Sequence, residues 1–163
     1  MSTIKDVATS SSAAVLHRRD APSSDGDASS AAVTRTVTVT PVNDVPVLSG
    51  VESAALAYTE NDAATVVSAT ITVSDLDTTT DANLNSATVT IGSGLMSGDV
   101  LAYSGTDGGI TAVYEASTGV LSLSGSVTVS SWQAALRLVT YSSTSEDPTG
   151  TQASADRVGS FVI

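Results

Sequence analysis

The sequence contains no cysteine, so disulfides, thiolate metal sites and cysteine nucleophiles are excluded. Aromatic residues are also scarce, with one Phe, one Trp and four Tyr among 163 residues. Val, Ala, Leu and Ile must therefore form most of the core. No apolar run approaches the ~20 residues that span a bilayer, and the N-terminus lacks the pattern of a secretory signal peptide. We therefore expect no transmembrane segment, and an export signal, if one is used, outside this sequence.

Basic residues are few, and the net charge is −11. Residues 1–40 hold four acids and four bases, whereas residues 41–163 hold thirteen acids and only two bases, Arg137 and Arg157. This imbalance repels a phosphate backbone or an anionic membrane and attracts divalent cations. We expect no nucleic-acid partner, while the plainer interpretation of the acidity is a soluble surface.

Ser (27) and Thr (23) are abundant, and apolar residues repeatedly alternate with them at the period of a strand. The first such run is Val33–Thr40. Later runs are separated by Gly, Asn, Asp and Ser, and predict strands at Ala54–Thr59, Thr65–Val73, Ser86–Ile91, Asp99–Tyr103, Thr111–Tyr114, Val120–Val129, Arg137–Ser142 and Arg157–Ile163. This spacing predicts an all-β, Greek-key immunoglobulin-like β-sandwich.

The alternation also predicts which side chains point inward and how two strands connect. The inward sets are Val67, Ala69, Ile71 and Val73 in one strand, and Ala87, Val89 and Ile91 in another. Gly105–Gly109 has the glycines of a hairpin loop and predicts that Asp99–Tyr103 pairs with Thr111–Tyr114.

One segment has helical spacing. Ser130–Leu136 begins with cap residues and places Trp132 and Leu136 four positions apart, which predicts one short helical turn. Trp132 has two interpretations, a core residue at the sandwich edge or an exposed aromatic that stacks on a sugar ring, and the first is the commoner.

Three segments make up the predicted domain organisation. Residues 1–32 are a Ser/Ala-rich tail that we expect to be disordered, with a marginal helix at Ala13–Arg18 as an alternative. Arg35–Val39 and Arg157–Phe161 match in their opening Arg and strand character, 122 positions apart. We therefore expect residues 33–46 to be the last strand and linker of a preceding repeat, and residues 47–163 to be one full repeat.

Acidic residues form three clusters at predicted strand ends and linkers: Asn43-Asp44, Glu60, and Asp75 with Asp77. Calcium prefers six to eight oxygen ligands, several of them carboxylates. An Asp-x-Asp pair presents two carboxylates about 7 Å apart on one side of a strand. The pair alone has two interpretations, because acids at strand ends are also common turn residues.

These clusters carry a resemblance to a known family. Val42-Asn43-Asp44-Val45-Pro46, then Thr59-Glu60-Asn61, then Ser74-Asp75-Leu76-Asp77 resemble cadherin-type repeats. More specifically, together with Thr118–Gly125 and Trp132–Tyr141, they resemble the cadherin-like tandem repeats of large bacterial surface and secreted (RTX-type) adhesins. The resemblance covers residues 33–163.

The resemblance implies a place for each acid. In such chains Ca²⁺ lies at the junctions between repeats, so Asn43 and Asp44 would be the linker ligands and Asp75 and Asp77 the Asp-x-Asp pair. Glu60 would serve the next junction, at the opposite pole. The loop Ser142–Asp156 would lie at the Asp75 pole, where Glu146 or Asp147 could add a ligand.

The sequence also departs from the family pattern. Pro41 stands where a linker Asp is usual, and Val45 replaces an Asn that often follows the Asp. Fewer ligands predict fewer ions or weaker binding, with a Kd of roughly 10⁻⁴–10⁻³ M.

No arrangement of residues predicts catalysis. The only His, His17, lies in the predicted tail, no Ser lies in a Gly-x-Ser-x-Gly elbow, and no phosphate-loop Lys follows the Gly-rich turns. We expect a non-enzymatic, calcium-binding adhesive spacer of a large extracellular, cell-surface or secreted protein, with neighbouring repeats as its partners. The alternative is a carbohydrate- or protein-binding module, with a cell-surface glycan or protein as partner and calcium incidental.

Overall fold

The computed structural model describes residues 14–16, 31–77, 83–105, 109–147 and 156–163. The chain separates into two units, residues 1–43 and 44–163. In the first, β1 (Ala14–Leu16) pairs antiparallel with β2 (Arg35–Val37). The alternative of a helix at Ala13–Arg18 is therefore wrong at positions 14–16, because strand pairing satisfies backbone groups that a one-turn helix leaves open. The rest of the predicted tail up to residue 30 lies outside the described residues.

The regular elements of the second unit are nine strands and one helix among the described residues. Their bounds are β3 (Val47–Ser49), β4 (Thr65–Val66), β5 (Thr72–Ser74), β6 (Asn83–Ser93), β7 (Asp99–Tyr103), β8 (Thr111–Glu115), β9 (Val120–Thr128), β10 (Val139–Ser143) and β11 (Val158–Val162). The helix α1 (Val129–Leu136) lies between β9 and β10.

All described strand pairs are antiparallel. The second unit has two main sheets, with the strand orders β11-β6-β9-β8 and β4-β10-β7. A smaller two-stranded sheet joins β3 to β5. The buried side chains of both main sheets form one core, which contains Ala87, Val89, Ile91, Leu101, Leu121, Leu123 and Val139. The predicted all-β sandwich with one short helix is confirmed, whereas the Greek-key and cadherin-like connectivity stays a prediction.

Two predicted strands are wrong or only partly right. Ala54–Thr59 is irregular, and Thr65–Val73 is interrupted between β4 and β5. The interruption has a local cause, because the amides of Ala69 and Thr70 donate to the carboxylate of Glu52 and cannot join a ladder. Ala69 is consequently exposed rather than inward.

The predicted hairpin at Gly105–Gly109 is also wrong. β7 pairs with β10, whereas β8 pairs with β9, so the segment between β7 and β8 connects the two main sheets. Glycine at a turn indicates a change of chain direction but not the partner of the strand that follows.

The helix forms in the predicted segment, but it begins one residue earlier, at Val129, and its cap is Thr128 rather than Ser130. The hydroxyl of Thr128 accepts a hydrogen bond from the Ser131 amide at 3.2 Å. Trp132 and Leu136 are 0% exposed, and the Trp132 indole donates to the carbonyl of Leu84 at 2.8 Å. The core interpretation of Trp132 is therefore confirmed, and its ring is not available to stack on a sugar.

Candidate functional site

Three of the predicted ligands meet at one end of the second unit. The pairing of β3 with β5 sets Val47 opposite Ser74, so the residues just before β3 run beside those just after β5. The Asp44 amide donates to the Asp77 carboxylate, and the Asp77 amide donates to Asp75 Oδ1 at 2.9 Å. We call Asp44, Asp75 and Asp77 the acidic corner. The fourth predicted ligand of this pole, Asn43, is the last residue of the first unit.

The acidic corner has the chemistry that Ca²⁺ prefers, since each of its three side chains is a carboxylate. Its geometry is not yet that of a coordination sphere. Among the described residues, no group of three or more Asp, Glu, His or Cys side chains is placed to hold a metal ion. Two of its carboxylates accept backbone hydrogen bonds instead, so an ion would have to be bound with some turning of these side chains.

Glu60 lies at the opposite end of the sandwich from the acidic corner. The adjacent Asn61 donates to the carbonyl of Ser143, at the far end of β10, and its side chain donates to Glu146 Oε1 at 3.0 Å. The acidic corner follows β5, and β5 packs on α1. Because α1 leads into the first residue of β10, the acidic corner lies near the start of β10 and Glu60 lies near its end.

The prediction that Glu146 joins the Asp75 pole is therefore wrong, because β10 runs away from α1 and carries the loop after it to the Glu60 end. Asp147 follows Glu146 in that same loop.

A buried ionic network holds the last strand, and sequence reasoning missed it. Asp99, at the start of β7, is 3% exposed. Its Oδ2 accepts from Arg157 Nε at 2.7 Å and from the Met96 amide at 2.8 Å. Its Oδ1 accepts from the Tyr141 hydroxyl at 2.8 Å and from Arg157 Nη2 at 3.3 Å. Arg157 therefore fixes the residue before β11 onto the opposite sheet.

The pKa values in this network follow from burial and from the ion pair. Burial by itself raises the pKa of Asp99, but the hydrogen bonds from Arg157, Met96 and Tyr141 outweigh it and leave that pKa below its ordinary value. Burial, together with the hydrogen bond to Asp99, raises the pKa of Tyr141 to about 12. The network therefore keeps Asp99 ionised and Tyr141 protonated at neutral pH.

The sequence held one signal for this network. Residues 41–163 contain only two bases, and both basic side chains are partly buried with a polar partner: Arg137 donates to the carbonyl of Ile71 at 2.8 Å, and Arg157 pairs with Asp99. The Ser97-Gly98-Asp99 segment resembles a simple turn, so local pattern could not distinguish a buried Asp from a solvated one.

A cavity of about 580 Å³ lies beside the Asp99–Arg157 pair. Val89, Ile91 and Leu101 form part of its apolar wall, and Tyr141 and Arg157 contribute polar groups. Gly159 of β11 also lines it. A Cβ at position 159 would have only ordinary contact, at 3.8 Å from the Thr90 carbonyl, so the backbone leaves room for a side chain there.

A second carboxylate has a defined structural role. Glu52 accepts from the Ser68 hydroxyl at 2.6 Å and from the amides of Ala69 and Thr70 at 2.9 and 3.0 Å. These hydrogen bonds, that from Ser68 first, lower the pKa of Glu52 to about 2. Glu52 therefore holds the interruption between β4 and β5 in place.

We expect this carboxylate to make stability depend on pH. Because the folded-state pKa lies below that of the unfolded chain, the contribution is complete above the unfolded pKa and is lost as pH falls toward about 2. The Tm difference between the wild type and Glu52→Gln should fall by more than half between pH 5 and about pH 3. Thermal melts monitored by circular dichroism measure it, with Glu60→Gln as the charge-matched control. A Tm difference that does not change over this range would contradict the role of Glu52.

No helix among the described residues has the length and apolar character to cross a membrane. Comparison with protein-family models, with curated proteins and with solved structures finds no match for this chain.

Proposed function

We propose that this chain is a calcium-binding structural and adhesive repeat of a large extracellular protein, non-enzymatic and exposed on or secreted from the cell. The observation that carries the proposal is the acidic corner. The backbone amide of Asp44 donates to the carboxylate of Asp77, 33 positions away in sequence, and the Asp77 amide donates to Asp75, so the linker residue contacts the Asp-x-Asp pair. The resemblance to cadherin-like repeats of bacterial adhesins supports the same assignment.

The excess of acidic residues gives a physical reason why a bound cation would stiffen the chain. Thirteen acids against two bases in residues 41–163 create self-repulsion. A divalent cation at the acidic corner would neutralise part of it and tie the linker residue Asp44 to the Asp-x-Asp pair. The expected effect is a stiffer connection between neighbouring repeats. Glu60, at the opposite end, would serve the next junction.

Calcium titration followed by thermal melting tests the proposal. With a Kd of roughly 10⁻⁴–10⁻³ M, ~10 mM Ca²⁺ should stabilise the fold by about 1.4–2.7 kcal/mol. Changing both Asp75→Asn and Asp77→Asn should abolish the shift. Screening by salt is controlled with NaCl at the same ionic strength.

The matched control is the variant Asp62→Asn with Glu115→Gln, which removes the same charge away from the acidic corner. It should keep the calcium response. A Tm that does not respond to millimolar Ca²⁺ in the wild type, or a shift that survives the loss of Asp75 and Asp77, would refute calcium binding at this corner.

The alternative of a sugar-binding module is weaker than it was from sequence alone. It depended on Trp132, whose indole is buried and bonded to the Leu84 carbonyl. Binding of another protein by a loop has no particular observation in its favour.

A further inference from the structure

The strand β2 is exposed at each of its three residues. Along its run, Val33 is 98%, Val37 41% and Val39 64% exposed. A two-stranded ribbon such as β1-β2 is at best marginally stable in water. A strand with alternating exposed valines has an apolar side that packing against a further sheet would bury.

The pattern of this run matches the strand that closes the sandwich. With Arg35 aligned on Arg157, Val37 falls on Gly159 and Val39 on Phe161. Gly159 is itself exposed, although it lines the cavity and shares the face of Phe161, two positions further on. In and around β11, Arg157 and Phe161 are partly buried, while the outward-facing Val158, Ser160 and Val162 are exposed. The three residues of the β2 run that align with these exposed positions are all threonines: Thr36, Thr38 and Thr40.

The structure gives a reason why both strands carry an arginine. It also explains why one aligned position differs, with Val37 in the β2 run and Gly159 in β11. Arg157 inserts into a pocket where Asp99 is 3% exposed, so an Arg at this position is the anchor of the closing strand. Gly159 leaves the adjoining cavity without a side chain, and a Cβ there is sterically allowed. Val37 in the same position would place its side chain in that cavity.

We propose that β2 is a closing strand that docks on the β6 edge of a second copy in place of β11, with its Arg35 on that copy's Asp99 and its Val37 beside the cavity. The inference rests on the repeat character of the proposed function and does not depend on calcium. The other outer strand, β8, offers a poorer site. Its carboxylate, Glu115, already accepts from the amide and hydroxyl of Ser117.

Refolding with a competing strand tests the inference on the full chain. Ser160 lies opposite Thr90 in the β11–β6 register, so Thr38 of a donated strand would lie opposite Thr90. Because the chain has no cysteine, a Thr90→Cys variant provides a single reactive thiol. This variant is unfolded and then refolded under mild oxidation, without calcium, with excess of a synthetic peptide of residues 31–43 carrying Thr38→Cys.

The control peptides separate a specific register from random collision. Thr36→Cys places the thiol opposite Ser93 instead of Thr90 and should give little disulfide adduct. Adding Arg35→Ala to the Thr38→Cys peptide should lower the adduct by roughly a hundredfold or more, because Asp99 is then left buried without its counter-charge. Equal adducts from both thiol positions, no dependence on Arg35, or no adduct at all would each overturn the proposal.

A second variant tests the cavity without disturbing the ion pair. Gly159→Val copies the β2 residue into β11 and should raise the Tm of the full chain, because it adds an apolar, β-branched side chain beside the cavity. A lowered Tm would show that Val37 does not fit this position. Calcium binding and strand donation fail independently, because the peptide experiment contains no calcium and the calcium titration contains no peptide.

Discussion

Replacing Arg157 with Ala should destabilise the fold by about 3–5 kcal/mol, because it leaves a buried carboxylate without its counter-charge. Asp99 is fully enclosed, and the Arg157 side chain is only 11% exposed. The Met96 and Tyr141 donors remain, but neither carries a positive charge. Urea denaturation measures the free energy of unfolding directly.

Two controls identify the ion pair as the cause. Combining Asp99→Asn with Arg157→Ala removes both charges and should recover part of the lost stability, as a double-mutant cycle would quantify. Arg137→Ala removes the same charge but only a hydrogen bond to a carbonyl, so its cost should be smaller, about 1–3 kcal/mol.

The direction in which pH changes the stability deficit of the Arg157→Ala variant also follows from the buried charge. In the single Arg157 variant, burial without a counter-charge raises the pKa of Asp99, so the deficit should shrink as pH falls and the carboxyl becomes neutral. A loss below about 1 kcal/mol at pH 7 would mean that Asp99 finds another partner or water.

Replacing Trp132 with Ala should cost about 3–5 kcal/mol, the range for deleting a large buried aromatic side chain. The residue is 0% exposed and belongs to the main core cluster. The change also leaves the Leu84 carbonyl without the indole donor. Far-ultraviolet circular dichroism during urea denaturation is the suitable measurement, since the only Trp has been removed.

The variant Trp132→Phe separates packing from hydrogen bonding. It keeps much of the apolar volume and loses the indole donor, so its cost should lie clearly below that of Ala. Val113→Ala, at a position 70% exposed, should stay within about 0.5 kcal/mol of the wild type. A Trp132→Ala variant as stable as the Val113 control would contradict the buried position of this side chain.

Loss of Trp132 should also loosen the acidic corner. The next residue, Gln133, accepts a hydrogen bond from the Val73 amide at 3.1 Å and so ties α1 to β5, whose end leads to Asp75 and Asp77. Stability of the core and order at the candidate calcium site are therefore coupled through one helix.

The sequence by itself determined the local features of this protein. Alternation placed Ala87, Val89 and Ile91 on the buried face of β6, and all three are at most 5% exposed. The spacing of Trp132 and Leu136 predicted a helix at Ser130–Leu136, although the residue that caps it is Thr128. These predictions succeeded because a strand's two faces and a helix's first turn depend on neighbouring residues. The resemblance to cadherin-like repeats implied that Asp44 lies beside Asp75 and Asp77, and the Asp44 amide does donate to Asp77.

Only the tertiary structure decided which distant residues meet. It set β7 beside β10 rather than β8, interrupted Thr65–Val73 through Glu52, and placed Glu146 at the Glu60 end. It joined Asp99 to Arg157 across 58 positions. Alternation specifies which face of a strand is buried but not which strand is its neighbour. Whether an acid is solvated or enclosed depends on the second sheet, which no local pattern encodes.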